Sequence, residues 1–327
     1  MESVQAACLS SIFIYPIKSC RGIEVSQAAL TPVGLRWDRN WLIVNSNGRG
    51  YTQRVEAKLA LVEVNLPIEA FSLSWQPATN SFMGARCYLK LNASFETTTL
   101  RFLVVINAPG MSALKVPLTT PREVIHGVSV WEWSGSALDE GEQAADWFTN
   151  YIGKPSRLVR FNGSSDTRVV DPSYAQHHTV FFADMFPYLL ISQGSLDALN
   201  CLLNDPIPVD RFRPNLLVDG CEPFAEDLWR EFRLSSYKFE GVKLCSRCKV
   251  PSIDQKTGVG GLEPTVTLKR FRSGRALRPT KNHPQKMYFG QNVVWSDKIR
   301  GSSGFMIKIG DPVLVDKKFI SVEEAAA

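Results

Sequence analysis

Several short segments of the first 135 residues have the apolar composition typical of β-strands, and in the last of them apolar residues alternate with polar neighbours. These segments are rich in β-branched and aromatic residues and lie at positions 11–15, 41–45, 59–66 and 124–133. After the second segment, Asn45-Ser46-Asn47-Gly48 supplies turn residues, and an extended pattern resumes at residues 51–54. The sequence therefore predicts a hairpin here within a β-rich first half.

The second half combines two helical segments with a series of short strands. Apolar residues recur at helical spacing in residues 137–151, expected to open the second domain, and in residues 192–203. Strands bounded by Gly, Pro, Asp or Asn are predicted at residues 216–218, 238–244, 286–295 and 310–315. Because there is neither a β-α-β-α alternation nor a glycine-rich phosphate loop, a doubly wound nucleotide-binding fold is disfavoured. The pattern predicts a mainly β (α+β) protein.

Residues 75–106 fit neither pattern. Their periodicity is weak, and they contain few turn residues where a compact barrel would have a short connection. We therefore predict an insertion near residues 76–106 that packs poorly against the rest of the chain.

Length and composition limit the class of protein. The 327 residues, 44% hydrophobic and 21% charged, suffice for two modest domains with ordinary cores. We expect no transmembrane segment, because no stretch approaches the roughly 20 apolar residues of a membrane-spanning helix. We also expect no cleavable signal peptide, because the N-terminus runs from Met1 and Glu2 straight into the strand-like residues 11–15. Seven cysteines make an odd number, which favours a reducing, intracellular compartment, most simply the cytoplasm. Mitochondrial association stays open.

The net charge of +5 is distributed along the chain and forms no continuous run of like charge. A nucleic-acid partner would require a basic stripe along the phosphate backbone, so nucleic-acid binding is not predicted. Basic residues beside short motifs are better suited to a small anionic ligand.

The segment from Val242 to Val250 contains a pair of cysteines, Cys245 and Cys248, three positions apart. A thiol binds metal as the thiolate, and the neighbouring Lys243, Arg247 and Lys249 favour that ionised form. From the residues alone, the pair can be a ligand for a soft metal, a redox pair, or half of a zinc site.

Two of these alternatives lack supporting residues. A zinc site needs a second pair of ligands, but Cys201 and Cys221 are far apart and His177-His178 are adjacent. A thioredoxin-like pair should open a helix, whereas residues 249–254 are predicted to be extended or turning. What remains is a single-cysteine metal ligand, or a pair of cysteines without a function.

The motif Cys245-Ser246-Arg247-Cys248, followed by Ile253-Asp254 and Thr257-Gly258, resembles the central motif of MOSC domains, in particular those of the mitochondrial amidoxime-reducing component and its bacterial relatives. Further segments resemble other motifs of this family and occur in the family's order: Tyr15-Pro16-Ile17-Lys18-Ser19-Cys20-Arg21-Gly22, Asp38-Arg39-Asn40-Trp41, Phe212-Arg213-Pro214-Asn215-Leu216, Phe289-Gly290-Gln291 and Gly310-Asp311-Pro312-Val313. The resemblance covers nearly the whole chain. It implies an N-terminal β-barrel-like domain at 1–135, followed by a MOSC β-barrel with flanking helices at 150–316.

The resemblance also implies a cofactor site. In this family the ligand is the molybdenum cofactor (Mo-molybdopterin), an anionic pterin, and such a ligand suits fixed cations and neutral donors. By resemblance, Cys248 is the metal ligand and catalytic residue, and the cofactor-binding residues are Lys18, Ser19, Arg39, Arg213, Asn215, Ser246 and Arg247. Taken singly, Arg39 and Arg213 fit surface ion pairs better, and Tyr15, Trp41 and Phe289 fit core aromatics. Cys245 is interpreted as a packing residue.

The resemblance further implies the two-electron reduction of N-hydroxylated compounds such as amidoximes, hydroxylamines and N-hydroxy bases. Because no motif resembles a haem or flavin site, electrons are expected from cytochrome b5 and NADH-cytochrome b5 reductase. A basic face that includes Lys269, Arg270, Arg272 and Arg275 would suit an acidic haem protein.

The alternative is a non-catalytic cofactor carrier or a sulfur-transfer module. MOSC domains also form the C-terminal part of molybdenum cofactor sulfurases. Those proteins carry an upstream pyridoxal-phosphate domain for which this chain lacks the length. Two segments depart from the family: Pro251-Ser252, where relatives tend to have hydroxyl residues after the metal cysteine, and Asp184-Met185-Phe186-Pro187, where small polar residues are common.

Overall fold

The computed structural model describes residues 5–73, 75, 102–121, 123–280, 283–297 and 304–326. In chain order the described strands are β1 (Gln5–Ile14), β2 (Ile23–Val25), β3 (Gln27–Thr31), β4 (Gly34–Leu35), β5 (Trp41–Asn45), β6 (Glu63–Asn65), β7 (Leu103–Asn107), β8 (Leu114–Pro117), β9 (Val124–Val130), β10 (Trp133–Asp139), β11 (Ser156–Phe161), β12 (Tyr188–Ser192), β13 (Leu216–Asp219), β14 (Trp229–Leu234), β15 (Tyr237–Arg247), β16 (Met287–Trp295), β17 (Met306–Lys308) and β18 (Pro312–Lys318). The α-helices are α1 (Glu142–Ile152), α2 (Gln193–Asn200), α3 (Thr265–Phe271), α4 (Gly274–Leu277) and α5 (Val322–Ala325). Short 3-10 helices lie at Ala57–Leu61, Ile68–Phe71, Val209–Arg211, Ala225–Leu228 and Val250–Ser252.

A closed barrel of seven strands forms the larger unit, in the order β13-β12-β16-β15-β14-β18-β1, and β1 pairs back with β13. Closure removes exposed strand edges, and alternate side chains of each strand fill the interior. Phe232, Phe239 and Val313 are among the residues buried at 1% exposure or less. The mainly β fold class is therefore confirmed.

Strand β1 lies at the start of the chain, yet it completes the barrel built from residues 188–318. It pairs antiparallel with β13 and β18, and Ile12 and Leu9 on it are fully buried. The division into domains at 1–135 and 150–316 stays a prediction.

In the part of the chain that the structure describes, three smaller sheets accompany the barrel: β5-β11-β10-β9, β6-β7-β8 and β17-β3-β4. The helix α1 packs on strand β11 and buries Ala144, Phe148 and Ile152. Gly153 ends this helix with a left-handed conformation, φ 76°, and its N–H bonds to Thr149. Within the described residues, no helix combines the length and the apolar composition that a membrane span needs.

Several predicted elements are confirmed, including β5, helix α2 and the strands β13, β15, β16 and β18. At the start of α2, the Ser192 hydroxyl caps the helix by accepting the Ser195 N–H at 3.1 Å. The helix predicted at 137–151 begins only at Glu142, because residues Ala137 to Asp139 extend β10 and pair with β11.

The strand predicted at 59–66 is also wrong in its first half, which forms the 3-10 helix Ala57–Leu61 before β6. The turn at residues 45–48 is confirmed, since the Asn45 carboxamide oxygen accepts the N–H groups of Asn47 and Arg49. A short hairpin follows the turn, because Gly50 pairs antiparallel with Val44 and the Tyr51 N–H bonds to the Ile43 carbonyl at 2.7 Å. The extended stretch predicted to reach residue 54 ends earlier, since the chain turns again at 53–55.

Most of the insertion predicted near 76–106 lies outside the described residues. The described end of this stretch is strand β7, where Val104 and Ile106 are each 1% exposed and pack in the main core. Poor packing is therefore wrong for these residues.

Candidate functional site

Tyr15 is the centre of a cluster of cations. The guanidinium carbon of Arg39 lies 4.4 Å from the centroid of the Tyr15 ring, and that of Arg213 lies 4.3 Å from it. Tyr15 is 1% exposed, and burial raises the pKa of its hydroxyl above the ordinary range although both arginines oppose the shift. The ring thus holds two candidate cofactor-binding residues side by side by cation–π contact.

Arg39 is fixed by polar contacts with its neighbour Asp38 and with the distant segment 213–215. One of its terminal nitrogens donates to the Asp38 carboxylate at 2.6 Å and to the Asn215 amide oxygen at 3.0 Å. The other donates to the Arg213 carbonyl at 3.4 Å. Asn215 is 2% exposed and also donates to the Phe13 carbonyl at 3.2 Å. The structure therefore brings Arg39, Arg213 and Asn215 together, as the motifs predicted.

Three candidate cofactor-binding residues have strained backbones. The φ angle is 70° at Ser19, 50° at Arg39 and 57° at Arg213, in the left-handed region that non-glycine residues rarely adopt. Such a conformation costs about 1–3 kcal/mol and persists only where surrounding contacts fix it, which is most common at functional sites. Here, the Arg39 N–H bonds to the Tyr15 carbonyl at 2.7 Å, and the Ser19 carbonyl accepts the Gln53 amide at 2.7 Å.

Lys18 is buried beside this cluster. Its ammonium donates to the Phe182 carbonyl at 2.7 Å and pairs with the Asp184 carboxylate, whose side chain is 60% exposed. Burial lowers the pKa of Lys18 below its ordinary value, and the Asp184 carboxylate offsets this only in part. Phe182 also donates its N–H to the Arg39 carbonyl at 3.1 Å, which links Lys18 to the cluster. Asp184, which lies in a segment that departs from the family pattern, thus supplies a counterion to the candidate cofactor-binding residue Lys18.

Cys248 directly follows strand β15 and is partly exposed. The preceding Arg247 is anchored in two ways: one terminal nitrogen donates to the Phe212 carbonyl at 2.6 Å, and the other lies 3.0 Å from the Cys245 sulfur. Both cysteines are free thiols. Among the described residues, no hydrogen bond or ion pair joins the Cys248 thiol or the exposed Ser246 side chain to the cations.

Two bridges tie the Cys248 segment to the rest of the site. The amides of Gln53 and Gln255 bond to each other at 2.9 and 3.1 Å, and both residues are buried. Arg211 donates to the Asp254 carboxylate at 2.8 Å. The loops around residues 19, 53, 211–215 and 245–255 therefore form one connected site.

Sequence reasoning missed the cation–π role of Tyr15 and both glutamines. Tyr15 lies where the strand pattern predicts a core aromatic, and its burial confirms that interpretation. The Gln53–Gln255 pair spans 202 residues, so no local pattern indicates it. Gln255 directly follows Asp254, which belongs to the recognised motif. This adjacency is the signal that could have indicated Gln255.

The cations fit a ligand that carries several negative charges. The Arg213 guanidinium has no hydrogen bond or ion pair among the described residues, and its buried Nη2 has no partner. The buried Arg247 Nε is unpartnered in the same way. An unpaired buried cation is costly unless an anion compensates it. The described part of the chain has no group of three His, Cys, Asp or Glu side chains that could hold a metal alone, so a metal here would need a chelating cofactor.

The predicted basic face is partly wrong. Lys269, Arg270 and Arg275 are exposed. Arg272 is 4% exposed, because it pairs with the buried Asp227 carboxylate at 2.6 Å and donates to the Tyr288 carbonyl. Arg272 therefore stabilises the barrel and contributes nothing to a docking surface.

Comparison with known proteins agrees with this architecture. Residues 6–155 match the MOSC N-terminal beta barrel domain, and residues 177–314 match the MOSC domain. The mitochondrial amidoxime reducing component 2 of Bos taurus is 30% identical over 319 residues, which cover 94% of this chain and 83% of that protein. The Rattus norvegicus component 2 is 31% identical over 280 residues, covering 82% of this chain and 73% of that protein. The molybdenum cofactor sulfurase of Danio rerio is 28% identical over 288 residues, covering 82% of this chain but 31% of that protein.

The fold and the matched regions thus define a two-part MOSC protein. The chain belongs to the family in which a MOSC N-terminal β-barrel domain precedes a MOSC domain, as in the amidoxime-reducing components.

Proposed function

We propose that this protein is a molybdenum-cofactor-dependent oxidoreductase that reduces N-hydroxylated compounds. The observation that carries the proposal is the Arg213 guanidinium, which is held on Tyr15 without a hydrogen bond or ion pair among the described residues, within a strained and connected site. The names of the relatives, amidoxime-reducing components, support the choice of reaction.

In this proposal, the residues that hold the cofactor are Lys18, Ser19, Arg39, Arg213, Asn215, Ser246 and Arg247, and Cys248 provides the thiolate to molybdenum. The cations compensate the charge of the cofactor, and Asn215 fixes Arg39. A thiolate suits a metal that is already coordinated by sulfur. When bound, the cofactor supplies the two-electron redox chemistry.

The overall reaction is balanced by two electrons and two protons. The N–O bond of an amidoxime breaks, the nitrogen remains on the amidine, and the oxygen leaves as water. The contribution of the protein is to orient the cofactor through side chains whose backbones are already fixed before binding. Such preorganisation lowers the cost of holding the reacting groups in place.

Electrons are proposed to come from cytochrome b5 and its NADH-dependent reductase. The exposed Lys269, Arg270 and Arg275 are the candidate docking cations for an acidic haem protein. Since the relatives are named as mitochondrial, we include association with mitochondria in the proposal.

Molybdenum content tests the proposal. Purified wild type should contain molybdenum and reduce benzamidoxime with the reconstituted electron chain, whereas Cys248→Ala should lose most of the metal and the activity. Cys245→Ala is the matched control and should keep both. Full molybdenum occupancy in Cys248→Ala would contradict the assignment of the metal ligand.

The second candidate is a non-catalytic cofactor carrier or a sulfur-transfer module, favoured by the match to the Danio rerio sulfurase. The chain covers 31% of that protein. Molybdenum-loaded protein that turns over no N-hydroxylated compound would favour the carrier over the reductase.

A further inference from the structure

An open cavity of about 360 Å³ lies between residues 53–57 and residues 249–269. This volume is within the range of small-molecule sites, which is about 300–1,000 Å³. Lys249, which follows Cys248, lines one side, and Gln53, which holds the Ser19 carbonyl, lines another. The cavity therefore adjoins the candidate metal ligand.

The cofactor-binding candidates do not line this cavity. Lys18, Arg39, Arg213 and Arg247 are all absent from its walls. A cofactor held by these cations would leave the cavity open for a different molecule.

The charge of the cavity is entirely positive. Arg54, Lys249 and Lys269 line it, and none of the lining residues that the structure describes is acidic. None of the three forms an ion pair with a described residue, and the buried Nε of Arg54 has no partner. The Arg54 guanidinium carbon is held 4.3 Å from the centroid of the Trp131 ring. The Arg54 charge also lowers the pKa of the Asp184 carboxyl and is therefore compensated in part, so the exposed Lys249 and Lys269 are the cations available to an anionic group on a ligand.

The remaining wall suits a compact apolar body. Val55 and Leu262 are 68% and 77% exposed and both line the cavity. The hydroxyls of Ser252 and Thr265 lie 2.8 Å apart on the wall and provide neutral hydrogen-bonding groups. An apolar surface with a few polar groups is the usual composition of a ligand site.

We propose that this cavity is the substrate subsite, and that it selects N-hydroxylated compounds that combine a compact apolar body with an anionic substituent such as a carboxylate. The inference rests on the proposed function. The exposed apolar side chains would cover the body, and Lys269 and Lys249 would attract the anion.

Binding without turnover tests the selectivity. Calorimetric titration of the purified protein, with no electron donor, should compare benzamidoxime with its 4-carboxy and 4-trimethylammonio derivatives. At low ionic strength, we expect the carboxylate to bind at least about tenfold more tightly than the cation. Equal affinities for the three compounds would overturn the inference.

Two variants locate the binding. Lys269→Gln should reduce the preference for the carboxylate by about three- to tenfold, since one attractive charge is lost. The matched control Lys256→Gln changes an exposed lysine that does not line the cavity, and it should keep the full preference. An unchanged preference in Lys269→Gln would contradict the role of the lysine.

Gly260 offers a way to fill the cavity. It lines the cavity, a Cβ added to it meets no atom within 4 Å, and its backbone is not left-handed. Gly260→Leu should therefore weaken the binding of all three compounds with normal molybdenum content. The neighbouring Val259→Leu, outside the cavity, is the control. Should Gly260→Leu lower molybdenum content and spare compound binding, the cavity belongs to the cofactor.

The two proposals fail differently. Selective binding without reduction of any N-hydroxylated compound would overturn the reductase and leave the anion-selective cavity supported. Reduction that is indifferent to substituent charge and to Gly260→Leu, measured with dithionite as donor, would overturn the cavity and leave the reductase.

Discussion

The guanidinium of Arg213 packs on the ring of Tyr15, 4.3 Å from its centroid, although the two residues are nearly 200 positions apart. The contact positions a guanidinium that forms no hydrogen bond or ion pair with the described residues. Its backbone is held at a φ of 57°. Arg213 is therefore placed for a ligand at a cost to the stability of the empty protein.

Replacing Arg213 should separate stability from binding. In Arg213→Gln, the loss of the cation–π contact and the loss of the unpaired charge oppose each other, so the free energy of unfolding without cofactor should change by no more than about 1 kcal/mol. Molybdenum content should fall at least about tenfold, as expected for a lost charge-assisted contact. Urea unfolding and elemental analysis measure the two effects. A strongly destabilised variant with normal molybdenum content would reverse this interpretation.

Gly22 must lack a side chain because of Tyr15. A Cβ added to Gly22 would lie 2.5 Å from Cε1 of the buried tyrosine ring, and the ring cannot move without disturbing Arg39 and Arg213. Gly22→Ala should therefore lower the free energy of unfolding by about 1–3 kcal/mol. Gly163→Ala is the control, because its Cβ would meet Phe181 at an ordinary 3.5 Å. Equal stability of the two variants would show that the ring can shift.

The lowered pKa of Lys18 predicts that the stability of the protein changes with pH. Because burial lowers its pKa in the folded protein, the unfolded chain binds more protons between that pKa and the ordinary value of 10.5. The contribution of Lys18 to stability therefore increases as pH rises through this window. The difference in unfolding free energy between wild type and Lys18→Met should therefore move in favour of wild type as pH rises towards 10.5. A difference independent of pH would contradict the depressed pKa.

The local elements could be predicted from the sequence because they depend on local patterns. The strands β13, β15 and β16 are bounded by turn residues, and the Ser192 hydroxyl caps helix α2. Residues Ala137 to Asp139 were assigned to a helix because Leu138 fits helical spacing with Ala145. Their pairing with β11, which decides the matter, depends on residues about 20 positions away.

The residues of the candidate site could be predicted from motifs, but the contacts between them could not. The motifs indicated Arg39, Arg213 and Asn215, and the structure joins them. The local sequence could not show that Arg272 pairs with Asp227, because their contact depends on how the chain folds between them. For the same reason β1 could not be assigned to a barrel whose other strands begin at residue 188.

The pair Gln53 and Gln255 should couple energetically. Both are buried, and removing one amide leaves the other with an unpaired polar group, so each alanine variant should lose about 1–3 kcal/mol. A double-mutant cycle in urea should give a coupling energy of about 1 kcal/mol. Gln193→Ala, which removes an exposed bond to Asp197, should change stability by less than about 0.5 kcal/mol. Strict additivity of the Gln53 and Gln255 variants would contradict the bridge.

The predicted basic face, now without the buried Arg272, leads to a prediction about electron delivery. Arg270 and Arg275 are exposed and lie outside the cavity, so reversing their charges should slow reduction by cytochrome b5 and leave reduction by dithionite unchanged. At low ionic strength, we expect Arg270→Glu with Arg275→Glu to lower the rate about tenfold or more, and added salt should narrow the gap. Lys115→Glu, an exposed lysine on β8, is the control. Since steering acts through charge before contact, a rate that does not respond to salt in either protein would rule it out. Arg272 is excluded from this test because its substitution would leave Asp227 buried and unpaired, and a lower rate would then report damage to the barrel.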